Sequence, residues 1–193
     1  ALYRDRSDRP FTDIDFLIPA EHLAAANRVM PALDFVRPQK SWDNSDRDRE
    51  YKWLGRENRS VLIELHGDLV HYPMLRRQVS FGYDRLAAIE DGVRNRPAAL
   101  LMVAVVHAAC GHKFHQLSLL VDVLQAVRRL TADEEARFVR AAVSMGARLE
   151  AAVALRLVSR VFDEPRASAL ASRLGGHWMI GLGDRLMGPE VIL

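Results

Sequence analysis

Thr12-Asp13-Ile14-Asp15-Phe16-Leu17-Ile18 decides how this chain folds, together with its counterpart about fifty residues on, Val61-Leu62-Ile63-Glu64-Leu65-His66. Side chains alternate faces along a strand, so Asp13 and Asp15 share one face while Ile14, Phe16 and Ile18 share the other. In the second stretch Val61, Ile63 and Leu65 take one face, and Leu62, Glu64 and His66 the opposite one. Placed side by side in one sheet, the two strands bring Asp13, Asp15 and Glu64 to a common polar spot, with apolar side chains anchoring the far face. Three carboxylates in one place suit a hard divalent cation such as Mg²⁺, which completes its shell with phosphate oxygens and water. An Asp-x-Asp alone is a weak signal, because exposed strand faces carry carboxylates routinely. Glu64 strengthens it: within an apolar run an unpaired carboxylate is costly, so a metal or a cation must compensate it. Arg9, four residues before Asp13, is the nearest arginine, either as a phosphate clamp or as a simple ion-pair partner of Asp13 or Asp15.

Outward from these strands the first half alternates short elements. Pro19 ends the first strand, and Glu21 to Met30 has a helical apolar face of Leu23, Ala26 and Met30. Residues 34–38 predict a short strand, 39–50 a polar loop, 51–55 a third strand, and Arg56-Glu57-Asn58-Arg59 a turn into the acidic strand. Residues 67–96 give no clear pattern. From Pro97 the pattern is helical. Pro97 suits a first turn, and Gly111 ends the apolar run that contains Cys110. A second helix spans Gln116 to Leu130. Thr131 with Glu134 forms a capping box for a third helix, which Gly146 terminates, and Arg148 to Phe162 forms a fourth, stopped by Pro165. The glycine-rich tail from Gly175 is unassigned. The chain therefore reads as α/β (α+β): a small mixed-sheet core over residues 1–96, then a helical unit over 97–193.

Composition sets outer limits. The chain has 193 residues, 49% hydrophobic and 27% charged, the profile of a globular protein. Basic and acidic residues number 16 and 16 up to Arg96 and 11 and 9 beyond it. Without a concentrated basic surface, a long nucleic acid is not expected as a partner. The run from Pro97 to Cys110 falls short of the roughly 20 apolar residues that span a bilayer. One cysteine permits no internal disulfide, and with charges at Arg4, Asp5 and Arg6 interrupting any leader-like stretch, a cytoplasmic location is expected.

A second cluster, His107, His112, His115 and Asp122, offers nitrogen and oxygen ligands. His112 and His115 can share a helix face, and Asp122 can orient an imidazole. His107 and His112 are five apart rather than the four of a helical zinc pair, so hydrogen-bonded histidines or a nucleotide contact fit better than zinc. Ser118 and Ser144 have no activating neighbour, and there is no P-loop, dinucleotide fingerprint or nucleophile elbow. Trp42 and Trp53 flank the polar loop, where packing is the commoner use of the ring and base stacking the rarer one.

Arg9, then Asp13-Ile14-Asp15-Phe16-Leu17-Ile18, then Ile63-Glu64-Leu65-His66, then His107-Ala108-Ala109-Cys110-Gly111-His112 with Leu117 and Val121-Asp122, resembles a bacterial uncharacterised nucleotidyltransferase family of the DNA polymerase β superfamily. The resemblance covers about residues 1–162. It implies that Asp13, Asp15 and Glu64 are catalytic and hold two Mg²⁺ ions, with Mn²⁺ as a substitute. It also implies that Arg9, His66, His107, His112 and Asp122 help bind an NTP such as ATP. The implied reaction is attack of an acceptor hydroxyl on the α-phosphate, releasing pyrophosphate; the acceptor would be a small molecule, a sugar, a protein side chain or an RNA end. The superfamily's Gly-Ser turn, whose amides hold the triphosphate, does not fit between Ala1 and Asp13. Either this stretch begins after that element, and the natural enzyme is expected to be active but this piece impaired, or the chain has lost it and is expected to bind nucleotide poorly or not at all. Two other classes stay open: a catalytically silent nucleotide-binding or protein-interaction module, and a metal-dependent hydrolase centred on His107, His112, His115 and Asp122.

Overall fold

The computed structural model describes residues 3, 5, 11, 13–38, 49–70, 72–77, 79–89 and 96–175. The chain forms two compact units, Tyr3–Arg85 and a second that runs from Leu86 onward.

The first unit is built on a four-stranded mixed sheet in the order β1-β4-β3-β2. Its strands are β1 (Asp13–Leu17), β2 (Phe35–Val36), β3 (Glu50–Gly55) and β4 (Leu62–His66). The two acidic strands are neighbours, as their alternation predicts, and they run parallel with Asp15 opposite Glu64 and Asp13 opposite Leu62. A parallel pair needs a crossover. Helix α1 (Ala20–Val29) begins it directly after Pro19, a 3₁₀ turn (Met30–Leu33) follows, and Asp34 closes that turn with a left-handed φ of 65°. Strand β3 is antiparallel to both β4 and β2. The β3–β4 connection is tight: Asn58 Oδ1 accepts from the Ser60 amide at 3.1 Å, and Gly55 is required because a Cβ there would lie 2.5 Å from the Asn58 carbonyl oxygen.

The core of this unit lies on the apolar sheet face. Leu23 and Met30 pack with Trp53 and Leu65, flanked by Ile18, Ala26, Phe35, Tyr51 and Ile63. Trp53 is part of this core, its indole N–H donating to Asn27 Oδ1 at 2.9 Å, so it packs rather than stacking on a base; Trp42 and most of the polar loop lie outside the described residues. Ile14 and Phe16 share the face of Ile63 and Leu65 but stay 40% and 47% exposed. The anchoring expected of them is therefore partial. The ten-residue helix α1 packs on β4, and β1 lies at the sheet's edge.

Beyond β4, where the sequence shows no period, two short helices form: α2 (Pro73–Arg76) and α3 (Tyr83–Ala87). Asp68, 1% exposed, organises the intervening chain. Its Oδ1 accepts from the amides of Val70 (2.8 Å) and Phe81 (3.0 Å), and its Oδ2 from Ser80 Oγ (2.5 Å).

The second unit is helical. Helix α4 (Pro97–Val106) is its apolar axis, with Ala98, Ala99, Leu101, Met102, Ala104, Val105 and Val106 buried. Helices α5 (Leu117–Arg128), α6 (Ala132–Ser144) and α7 (Arg148–Phe162) all pack against it. Thr131 and Glu134 form the expected capping box, worth roughly 1 kcal/mol. Pro165 does more than stop α7: it opens a further helix, α8 (Pro165–Arg173), with Glu164 as N-cap. Arg128 anchors that cap at 2.7 Å, and Glu135 receives Arg166 and Arg173 at 2.8 and 3.0 Å. Most of the glycine-rich tail lies outside the described residues. No helix among the described residues is long and apolar enough to cross a membrane.

Candidate metal centre

The register of the first sheet builds the site. On the polar face Asp15 stands opposite Glu64, and Lys52 and Glu50 of β3 stand opposite Glu64 and His66. Ligand atoms of Asp15, Glu64 and His66 lie within 4.8 Å of one another, the one group of three potential metal ligands among the described residues. Asp13 stands on the same face two residues earlier, opposite Leu62 and outside that group. Glu64 and His66 are buried and Asp15 is exposed, so the cluster has a solvent side.

Cations of the chain already meet these acids. Lys52 Nζ lies 2.7 Å from Glu64 Oε1 and 2.8 Å from Glu50 Oε1. His66 Nε2 lies 2.8 Å from Asp15 Oδ1 and 3.6 Å from Glu64 Oε2. Burial alone would push the Glu64 carboxyl up, but hydrogen bonds from His66 and Lys52, with the lysine's charge, outweigh it and hold the group down at about 2. Burial would likewise lower His66; its bonds to Asp15 and then Glu64 win, raising it to about 9. The same acids raise Lys52 above its ordinary value against the pull of burial. Glu50 and Lys52 went unnoticed in the sequence, although the spacing Glu50-x-Lys52 puts both on one strand face.

A pH dependence of stability follows. His66 has a folded value of about 9 against 6.5 for the free side chain. Its contribution is thus fully present below pH 6.5 and disappears as pH rises through about 9, a loss on the order of 2–3 kcal/mol. Urea denaturation in EDTA at pH 6, 7.5 and 9.5 is expected to show a steady fall; a flat profile would contradict the pairing.

Arg9 is outside the described residues. His107, His112, His115 and Asp122 belong to the helical unit. After α4 the chain makes a π-helical turn (His107–Gly111), with the His112 amide donating to the His107 carbonyl at 3.2 Å. That turn lets residues five apart meet, which an α-helix does not. The two Nε2 atoms are 3.1 Å apart and the rings stand edge to face at 4.6 Å. His115 points one ring nitrogen at the His112 carbonyl and the other at Gln116 Nε2, and Asp122 is buried on α5. This is a hydrogen-bonded histidine cluster, and among the described residues it does not form a three-ligand metal group.

The donor set of the first unit fits a divalent cation, since two carboxylates from adjacent strands present hard oxygens to one point. No curated protein and no solved structure matches the chain. A family model described as "Uncharacterised nucleotidyltransferase" matches residues 1–163, spanning the sheet that carries Asp15 and Glu64 and the helices as far as the end of α7; the chain belongs to this nucleotidyltransferase family.

Proposed function

We propose that this protein transfers a nucleoside monophosphate from an NTP to an acceptor hydroxyl, releasing pyrophosphate, with Asp13, Asp15 and Glu64 holding Mg²⁺ or Mn²⁺. The observation that carries this reading is Asp15 facing Glu64 across adjacent parallel strands, in a chain of this family. When bound, the cation would supply charge neutralisation at the phosphate and a lower pKa for the attacking hydroxyl. The chain's own residues do the rest. Asp15, on the exposed rim, is the carboxylate an acceptor reaches first, while Glu64, buried and kept ionised, is fixed as an oxygen ligand. His66 orients Asp15 through its 2.8 Å bond, and Lys52 holds Glu64 from the β3 side. The balanced charge favours a small molecule, a sugar or a protein side chain as acceptor over a long nucleic acid.

Thermal stabilisation by each of the four NTPs, with and without Mg²⁺, tests this reading. At about 100 times Kd a ligand contributes roughly 2.7 kcal/mol. A shift that requires the cation and vanishes in Asp13→Asn/Asp15→Asn is expected, with circular dichroism verifying the fold. No shift with any NTP would overturn it.

One observation favours a second reading, a silent module that keeps its acids for stability. Lys52 and His66 already compensate Glu64 and Asp15, so the cluster is electrostatically coherent without a metal. In that case Mg²⁺ would leave the melting temperature unchanged.

A further inference from the structure

The unit that holds the acidic cluster also carries a surface of opposite sign. A cleft of about 450 Å³ is lined by Arg49, Pro73, Arg76, Arg77 and Ser80, a volume within the range of small-ligand sites. Among the described residues its lining supplies three guanidinium groups and a hydroxyl, and no carboxylate.

Arg49 comes from the start of β3, and Arg76 and Arg77 are consecutive residues at the end of α2. Arg49 immediately precedes β3; its carbonyl accepts from the Gly67 amide at 2.8 Å, one residue past His66. A Cβ on Gly67 would lie 3.4 Å from the Arg49 Cβ and 2.9 Å from Leu23 Cδ2, so the absence of a side chain at 67 lets Arg49 sit close to the end of β4. Arg49 also has a φ of 57°, a left-handed backbone that a residue other than glycine adopts at a cost of roughly 1 kcal/mol. Opposite it, α2 carries Arg76 at its end, and Arg77 follows. Arg76 Nη1 donates to the Val70 carbonyl at 3.0 Å, and Val70 is in turn held by Asp68. Ser80 is tied to Asp68 through its hydroxyl and to Arg85 through its carbonyl, at 2.5 and 2.7 Å. A buried acid thus braces the wall from behind, and the cationic groups line its front.

Arg49 and Arg77 meet no carboxylate among the described residues, and arginine's planar fork matches phosphate oxygens two at a time. The cleft begins at the end of the β3–β4 ladder that carries Glu50 and Glu64: Arg49 stands one residue before the amino end of β3, and its backbone partner Gly67 one residue past the carboxyl end of β4. We propose that this cleft is a phosphate-oxyanion subsite that takes the phosphate end of a phosphorylated ligand. The subsite stands on its own geometry; only the identity of the ligand rests on the nucleotidyltransferase reading. Two sources share this chemistry, the polyphosphate tail of the NTP and a phosphate monoester on the acceptor.

The test is isothermal titration of the full chain in EDTA with inorganic tripolyphosphate, pyrophosphate and phosphate. EDTA removes any dependence on a bound cation, so failure of the metal reading and failure of this one are read separately. Saturable binding is expected, weakened about tenfold or more in Arg49→Gln/Arg77→Gln. Should the strained position 49 disturb folding, Arg77→Gln alone carries the test, since Arg77 is exposed just past α2. Competition of tripolyphosphate by ATP but not by ribose 5-phosphate would assign the subsite to the nucleotide tail, and the reverse would assign it to a phosphorylated acceptor. No binding of any of the three anions, or equal affinity in wild type and variants, would overturn the proposal.

Discussion

Glu64→Gln is expected to leave the fold standing and reduce nucleotidyl transfer by about 10³-fold or more. The expectation of a surviving fold comes from the pairing pattern. Glutamine keeps the volume and an accepting oxygen for Lys52 Nζ, now 2.7 Å away, while Lys52 retains Glu50 and His66 retains Asp15. The expected loss of rate comes from the charge. Removing one of two facing carboxylates weakens the hold on a divalent cation and the stabilisation of charge at the phosphate, and several kcal/mol of barrier correspond to three decades or more. Asp15→Asn is expected to have the same effect, with a further change: His66 loses its main partner and its pKa falls toward that of a buried imidazole. Pyrophosphate release under single-turnover conditions measures both. Unchanged turnover in either variant would remove that carboxylate from the chemistry.

A loss of stability as large as that of truncating a core side chain is expected at Asp68, a buried polar residue. Asp68→Ala orphans two buried amides and releases the Ser80 hydroxyl at once. Hydrogen bonds to a charged group contribute roughly 1.5–3 kcal/mol each, and groups left unsatisfied add their desolvation cost. Allowing for partial rescue by water, the first unit should lose about 4 kcal/mol in urea denaturation. Asp68→Asn keeps one acceptor and should lose roughly half as much. A loss under about 1 kcal/mol for the alanine variant would show that the 68–81 segment is held by something else.

How legible these features were in the sequence depends on length and punctuation. Asp13–Leu17 and Leu62–His66 were readable because period-two alternation runs through them without interruption, and their pairing followed from the matching polar positions. Helices α4 to α7 were readable because Pro97, the Thr131–Glu134 box and Gly146 mark their ends. Helices α2 and α3, of four and five residues, are too short to display a helical period, so Asp68 and the arginine cleft they organise carried no signal. Helix α8 is hidden for a different reason: Pro165 reads as a full stop to α7 but is also an opening, with Glu164 capping it. In the acidic cluster the carboxylates were legible but their internal partners were not. Lys52 becomes Glu64's counter-charge only through the β3–β4 register, which a turn, not a local pattern, determines.

The π-helical turn at His107–Gly111 has a consequence for chain length. An α-helix advances about 100° per residue, and an i to i+5 turn accommodates one residue more than the regular helix would. Deleting a single alanine from Ala108-Ala109 would let the helix close regularly and change the direction in which the chain leaves it by about that angle. The meeting of His107 and His112 therefore depends on residue count as much as on residue type. Insertions and deletions between 107 and 112 should be tolerated far less well than substitutions there.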